Sequence, residues 1–273
     1  MGLFKAEGFV LRTRDLGEAD KILTLFTRER GKVAAVAKGA RRARSRLLAT
    51  SQVFSHGRFL IYEGRSLHTV SQAELISSFR PLREDLSRMA YASYVAELID
   101  AFVDENEPHV ALFRTVLEAF TLMAGTSDLE MGVRWFELQL LDRLGYRPEF
   151  ARCVACGREI TSPRVLFHPA EGGVLCAACT ERAAGGVEIP LGITRQCIRL
   201  LETPAARLGI LRPSPSDRRI MESLLRAHID HRLDRPIKSR DFLEAMRSLG
   251  PDEDRAEGEK AGNDAHAERA GKD

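Results

Sequence analysis

At 273 residues the chain is too long for one typical domain and fits two or three. Its apolar fraction of 44% and charged fraction of 29% are those of an ordinary soluble globular protein, and no run of 18 apolar residues offers a membrane span. The net charge of +2 hides an asymmetry: residues 1–80 carry 15 Lys and Arg against 7 Asp and Glu, whereas residues 251–273 carry 4 against 8.

A basic front with an acidic tail points to a polyanion partner. The N-terminus, MGLFKAEGFVLRTRD, has no apolar signal region, and Met1-Gly2 lacks the following Ser or Thr of a myristoylation motif. A cytoplasmic protein is expected, in which the five cysteines stay reduced and serve as metal ligands or as inert residues.

Residues 3–80 read as strands. KAEGFVLRTRD, KILTLFT, KVAAVAKGA, QVFSHGRFLIYEG and SLHTVSQAELI are short, rich in β-branched and aromatic residues, and punctuated by glycine turns at RERGK and YEGRS. Five such strands predict a small barrel of OB or SH3 type, and propensity does not choose between them.

From Pro81 the period becomes helical. Leu86, Ala90, Tyr94, Leu98 and Phe102 recur every four residues, and Leu112, Val116 and Phe120 repeat the spacing. A third helix is expected to open on a capping box of Ser127 and Glu130 and to stop at Gly145, with Pro148 beyond. Helical patterns return at GITRQCIRLLE, SDRRIMESLLRAHIDHRL and SRDFLEAMRSL and supply the other half of a bundle. The Asp and Glu residues are read as mostly solvated, on helix surfaces opposite the apolar stripes. Residues 251–273 lack large apolar side chains and are expected to be disordered.

Between the two sets of helices lies CVACGREITSPRVLFHPAEGGVLCAAC, a C-x2-C-x19-C-x2-C pattern. Two thiolates three residues apart on a tight turn cover one edge of a tetrahedron, and a hairpin can return a second pair to cover the other, with Zn–S near 2.3 Å. Two disulfides or free core cysteines are the plain alternatives. Cys153, Cys156, Cys176 and Cys179 are therefore the expected zinc ligands. Four thiolates leave no open position for water, so the zinc is structural and its binding energy folds a segment too short to have its own core. Gly157 suits the first knuckle, where positive φ is needed, and Thr180 makes the second less ideal. His168 is expected in the hairpin, and Cys197 as a buried small hydrophobe in a helix.

The second cluster is VAKGARRARSRLL, with Lys38, Arg41, Arg42, Arg44 and Arg46 uninterrupted by an acid. So many adjacent cations fan out in a loop, and a polyanion would relieve their repulsion, with an ordinary solvated basic face as the plain alternative. On a small barrel, cations that track a phosphate backbone beside rings that stack on bases make a single-strand site. Phe54, Phe59, Tyr62 and His68 are candidate rings, though core filling is the commoner role of such residues.

GEADKILTLFTRERGKVAAVAKGARRARSRL, GRSLHTVSQAELISSFRPLREDLSRMAYASYVAEL, LLDRLGYRPEFARCVACG and HRLDRPIKSRDFL together resemble the RecO family of bacterial DNA repair proteins, up to about residue 249. The resemblance implies a multidomain α+β architecture: an OB-fold β-barrel over 1–80, a helical bundle over 81–148 and 187–250, and a four-cysteine zinc module inserted over 149–186. It implies no enzymatic activity but binding of single- and double-stranded DNA and annealing of complementary strands. RecR, the C-terminal tail of single-stranded DNA-binding protein and, indirectly, RecA recombinase are the implied partners. The family's basic surface falls here on Lys38, Arg41, Arg42, Arg44 and Arg46, with Arg12 and Arg14. An RNA- or transcription-associated zinc-ribbon protein is the rival binding reading. A zinc hydrolase is the enzymatic rival and would need an open metal site. The sequence holds no G-x-x-x-x-G-K-[ST], G-x-S-x-G or H-E-x-x-H motif.

Overall fold

The computed structural model describes residues 2–180 and 185–248. The acidic stretch 251–273 and its expected disorder lie outside the described residues.

Five strands, β1 (Leu3–Leu16), β2 (Asp20–Thr27), β3 (Gly31–Ala37), β4 (His56–Tyr62) and β5 (His68–Ser77), close into a barrel of order β1-β2-β3-β5-β4. β3 and β5 run parallel, from Ala35 opposite His68 to Ala37 opposite Val70, and every other pair is antiparallel. This is the five-stranded OB arrangement. The 14-residue β1 serves both neighbours, and a register shift between Val10 and Arg12 bends it around the barrel. Alternation does the rest: Val10, Leu23, Leu25, Val33, Ala35, Phe59, Ile61 and Val70 fill the interior.

Part of the barrel's outside is also apolar. Phe9, Leu11, Phe26 and Phe54 join the core of the helical part. The Phe9 ring lies 4.8 Å from Phe113 and 5.6 Å from Phe120, and Phe54 meets Phe120 at 5.7 Å. The β2–β3 turn docks there too. Gly31 sits at φ +63°, and a Cβ on it would lie 1.9 Å from the Glu107 carbonyl oxygen, so the approach requires glycine.

The fourth strand begins at His56, four residues later than QVFSHGRFLIYEG suggests. Phe54 adopts φ +67°, and its N–H bonds the Val10 carbonyl at 2.8 Å, so the chain turns there to carry this ring into the helical core.

The helical part comprises α1 (Pro81–Glu84), α2 (Leu86–Phe102), α3 (Val110–Gly125) and α4 (Leu129–Arg143). After the cysteine segment, which holds the short α5 (Ala177–Thr180), come α6 (Leu191–Glu202), α7 (Pro215–Asp230) and α8 (Ser239–Ser248). A 3-10 turn at Ala205–Ile210 has no counterpart among the expected elements. Of the expected four-residue stripe on α2, Ala90, Tyr94 and Leu98 are buried, but Leu86 is 61% exposed at the helix start. α4 is capped by Asp128, whose carboxylate accepts from Met131 N–H at 3.2 Å, not by Ser127. Asp128 also takes both guanidinium nitrogens of Arg218 on α7 at 2.7 Å each, which fixes the cap one residue later. At the other end the N–H groups of Gly145 and Tyr146 bond the carbonyls of Asp142 and Leu141, a Schellman closure at the expected glycine.

α4 is the central helix, buried from Met131 to Leu141 on every side. Glu137 is an exception to the reading of the acids as mostly solvated, because it is fully buried. It pairs with buried Arg134 at 3.1 Å and accepts a 2.6 Å hydrogen bond from Tyr94 Oη. Burial raises its pKa, against the pull of Arg134.

Candidate nucleic-acid interface and metal centre

Residues 38–55 form a chain of tight turns between β3 and β4. Arg42 N–H bonds the Gly39 carbonyl at 3.1 Å, Ser45 N–H that of Arg42 at 2.9 Å, and Ser51 N–H that of Leu47 at 2.9 Å. Ala40 and Leu47 pin the loop to the barrel core. The β1–β2 turn supports it from below: Gly39 N–H bonds Asp20 at 2.7 Å, and Arg41 N–H bonds the Ala19 carbonyl at 2.9 Å.

Lys38, Arg41, Arg42, Arg44 and Arg46 all reach solvent from this loop. Arg41 pairs with Asp15 at 3.3 Å and bonds the Gly17 carbonyl at 3.0 Å. The other four form no ion pair among the described residues. Arg12 and Arg14 lie on the outer face of β1. Arg12 is 3.8 Å from Asp100 of α2, and Arg14 has no ion pair among the described residues.

The candidate rings divide. Phe54 and Phe59 are core. His68 is half-buried, accepts from Gly64 N–H at 3.3 Å and meets Phe4 edge-on at 5.7 Å. Tyr62 is 50% exposed on the barrel's outer face, free to stack.

The cysteine segment folds as a three-stranded antiparallel sheet, β6 (Arg164–His168), β7 (Gly173–Leu175) and β8 (Val187–Pro190) in the order β7-β6-β8, with α5 following β7. In the first knuckle Gly157 N–H bonds the Cys153 carbonyl at 2.8 Å, with Gly157 at φ +72° as the spacing requires. In the second, Cys179 and Thr180 N–H both bond the Cys176 carbonyl, at 2.9 and 3.0 Å, which shows how threonine is tolerated there. The hairpin brings the knuckles together: the four Sγ atoms lie within 4.8 Å of one another, and Cys156 and Cys176 Sγ are 3.7 Å apart.

A tetrahedron with arms of about 2.3 Å has edges of about 3.8 Å, so the cluster fits a tetrathiolate ion. Burial resists ionisation of Cys153, but backbone N–H groups of Cys176, Cys156 and Ala155 outweigh it and lower the thiol to about 6. These four cysteines can hold a metal ion. His168 stays outside the set, its Nδ1 accepting from Glu171 N–H at 3.3 Å. Cys197 is fully buried on α6, and burial pushes its thiol up to about 12.

The module is clamped to the bundle by residues that sequence did not single out. His228 on α7 is fully buried, with Nε2 2.9 Å from the Tyr146 carbonyl and Nδ1 3.1 Å from an Arg232 guanidinium nitrogen. Neutral imidazole meets both, donating from Nε2 and accepting at Nδ1. Arg232 also bonds the Pro169 carbonyl at 3.1 Å, and Phe167 packs 5.6 Å from the imidazole.

Burial lowers the His228 pKa to about 4. The unfolded chain therefore takes a proton below about 6.5 that the folded one refuses until about 4, and stability falls as the pH drops through that window. The share due to His228 is about 2 kcal/mol by pH 5. Urea unfolding at pH 7 and pH 5 should show His228→Gln losing less stability than the parent by about that amount; equal losses would rule the effect out.

No helix among the described residues is long and apolar enough to cross a membrane. Family models named Recombination protein O N terminal and Recombination protein O C terminal match residues 1–79 and 83–241. The chain belongs to the RecO family. Curated RecO relatives agree along nearly their whole length. A DNA repair protein RecO of Symbiobacterium thermophilum is 44% identical over 251 residues, 91% of this chain and 99% of the relative. That of Pelotomaculum thermopropionicum is 43% identical over 244 residues, 89% and 94% of the two chains. That of Desulforamulus reducens is 35% identical over 246 residues, 90% and 96%. The boundary between the two RecO models falls where the barrel hands over to α1.

Proposed function

We propose that this RecO-family chain is a non-catalytic mediator of DNA repair that binds single- and double-stranded DNA and anneals complementary strands. The observation that carries the reading is the loop of Lys38, Arg41, Arg42, Arg44 and Arg46, in which four of five cations have no ion pair among the described residues. Cations without partners of their own are the ones that exchange counterions for phosphates at least cost. Neutralising phosphates on two strands lowers their mutual repulsion, so complementary segments can pair. Tyr62 supplies one stacking surface on the same barrel. Cys153, Cys156, Cys176 and Cys179 hold structural zinc, a closed set with no room for an activated water. RecR and the C-terminal tail of single-stranded DNA-binding protein dock on the protein, and RecA is loaded through that assembly.

With about five phosphate contacts, log K for a single strand falls against log salt with a slope of roughly −3.5. Replacing Arg41, Arg42, Arg44 and Arg46 by Ala should weaken binding about 100-fold at low salt, flatten that slope and leave the fold intact. Strand annealing, measured with and without single-stranded DNA-binding protein, should fall in parallel. Unchanged binding would place the site elsewhere, and a salt-insensitive parent would remove the electrostatic basis altogether.

A further inference from the structure

We infer that the nucleic-acid path does not end at the arginine loop but runs along β1 into a cleft between barrel and helices, where Arg14, Arg65 and Arg235 take the phosphodiester backbone of a single strand. The inference rests on the loop reading above and extends it onto the helical part.

The cleft has a volume of about 690 Å³ and is walled by the outer face of β1–β3, the β4–β5 loop, the end of α2 and the segment before α8. Cations reach it from three distant stretches of chain: Arg12, Arg14 and Lys32 from the barrel strands, Arg65 from the β4–β5 loop, and Arg235 from the approach to α8. Arg14, Arg65 and Arg235 are exposed, and the first two form no ion pair among the described residues.

Beneath them Asp100 acts as a shared anchor. Its carboxylate lies 3.3 Å from Lys32, 3.5 Å from Arg235 and 3.8 Å from Arg12, and its carbonyl accepts from Lys32 at 2.6 Å. One carboxylate among three cations leaves two positive charges uncompensated, held in place by an acid that is itself 13% exposed. Asp104 and Glu105 also line the cleft, so its five cations face three acids and its field stays positive.

Continuity with the arginine loop is built in. That loop is hydrogen-bonded to the β1–β2 turn through Gly17, Ala19 and Asp20, and Arg14 and Arg12 follow on the same strand. From Asp15 to Arg12 the strand covers about 10 Å, a short step for an extended phosphate backbone. On an OB barrel the face of strands 2 and 3 with the loops beside it is where a strand can lie. Arg235 carries that path off the barrel.

The test uses the full chain and a labelled oligothymidylate of about 30 nucleotides, longer than one OB site. Arg65→Ala with Arg235→Ala should weaken binding about ten-fold at low salt and make the salt slope shallower by about 1.4, two contacts' worth. A control with Arg147→Ala and Arg164→Ala, removing two charges outside the cleft, should bind as the parent does. Arg65→Ala alone keeps the test valid should the loss of the Arg235–Asp100 pair disturb the fold, with a slope change of about 0.7. If the cleft variants match the parent in affinity and slope while the loop variant is impaired, the cleft inference fails and the loop reading stands. If the cleft variants are impaired and the loop variant is not, the loop reading fails and the continuous path inferred here fails with it, leaving a cleft site on its own.

Discussion

Stripping the proposed zinc from the four-cysteine centre, by chelation or by Cys156→Ser, should unfold the module's described residues, 149–180 and 185–190, while the barrel stays folded. The three strands of this module have five, three and four residues, and among the described residues its buried apolar side chains besides the cysteines are few: Phe150, Ile160, Val165, Phe167, Val174, Leu175 and Ile189. Such a sheet does not stand alone in water. Structural zinc in small modules contributes an apparent 10–16 kcal/mol, roughly the whole stability of a domain. Backbone N–H groups of Cys176, Cys156 and Ala155 favour the thiolate form of Cys153, the form that binds a metal ion. Hydrogen exchange followed by mass spectrometry should show protection lost over 149–180 and 185–190 and at the Tyr146 and His228 contacts, and kept over β1–β5. Retained protection in the module after complete chelation would sink the structural-metal reading.

A second large effect is expected inside α4. Arg134→Met removes the partner of a fully buried Glu137 and should cost about 3–5 kcal/mol. The loss comes less from the missing ion pair than from a carboxylate stranded without charge compensation. Glu137→Gln added to Arg134→Met should restore most of it, because the amide oxygen still accepts from Tyr94 Oη while no charge remains buried. The pair of variants is decisive when measured together by chemical denaturation: a single-variant cost below about 1 kcal/mol, or a double variant no better than the single, contradicts the assignment.

The barrel was readable because period-two alternation leaves a direct trace in Val33, Ala35 and Ala37, and the knuckles because cysteine spacing encodes their geometry. The arginine loop was readable as charge. What could not be read shares one cause: the partner lies far away in the chain. Arg134 and Glu137, three residues apart on a helix, look like an ordinary surface pair until other helices surround them. Phe9 and Phe26 look like barrel filling, yet they point outward into the helical core. The cap of α4 slid from Ser127 to Asp128 because Arg218 holds that carboxylate from α7. Arg65 and Arg235 carry no local pattern at all; a folded chain is needed to bring them to one cleft.

The aromatic seam between the two halves governs how this molecule can be taken apart. A gene cut at codon 80 would release a cylinder with Phe9, Leu11, Phe26 and Phe54 facing water, and its helical remainder would keep a matching greasy scar at Phe113 and Phe120. Each piece would clump with its own kind instead of dissolving as an independent module. The two halves must therefore be inherited, expressed and engineered as one.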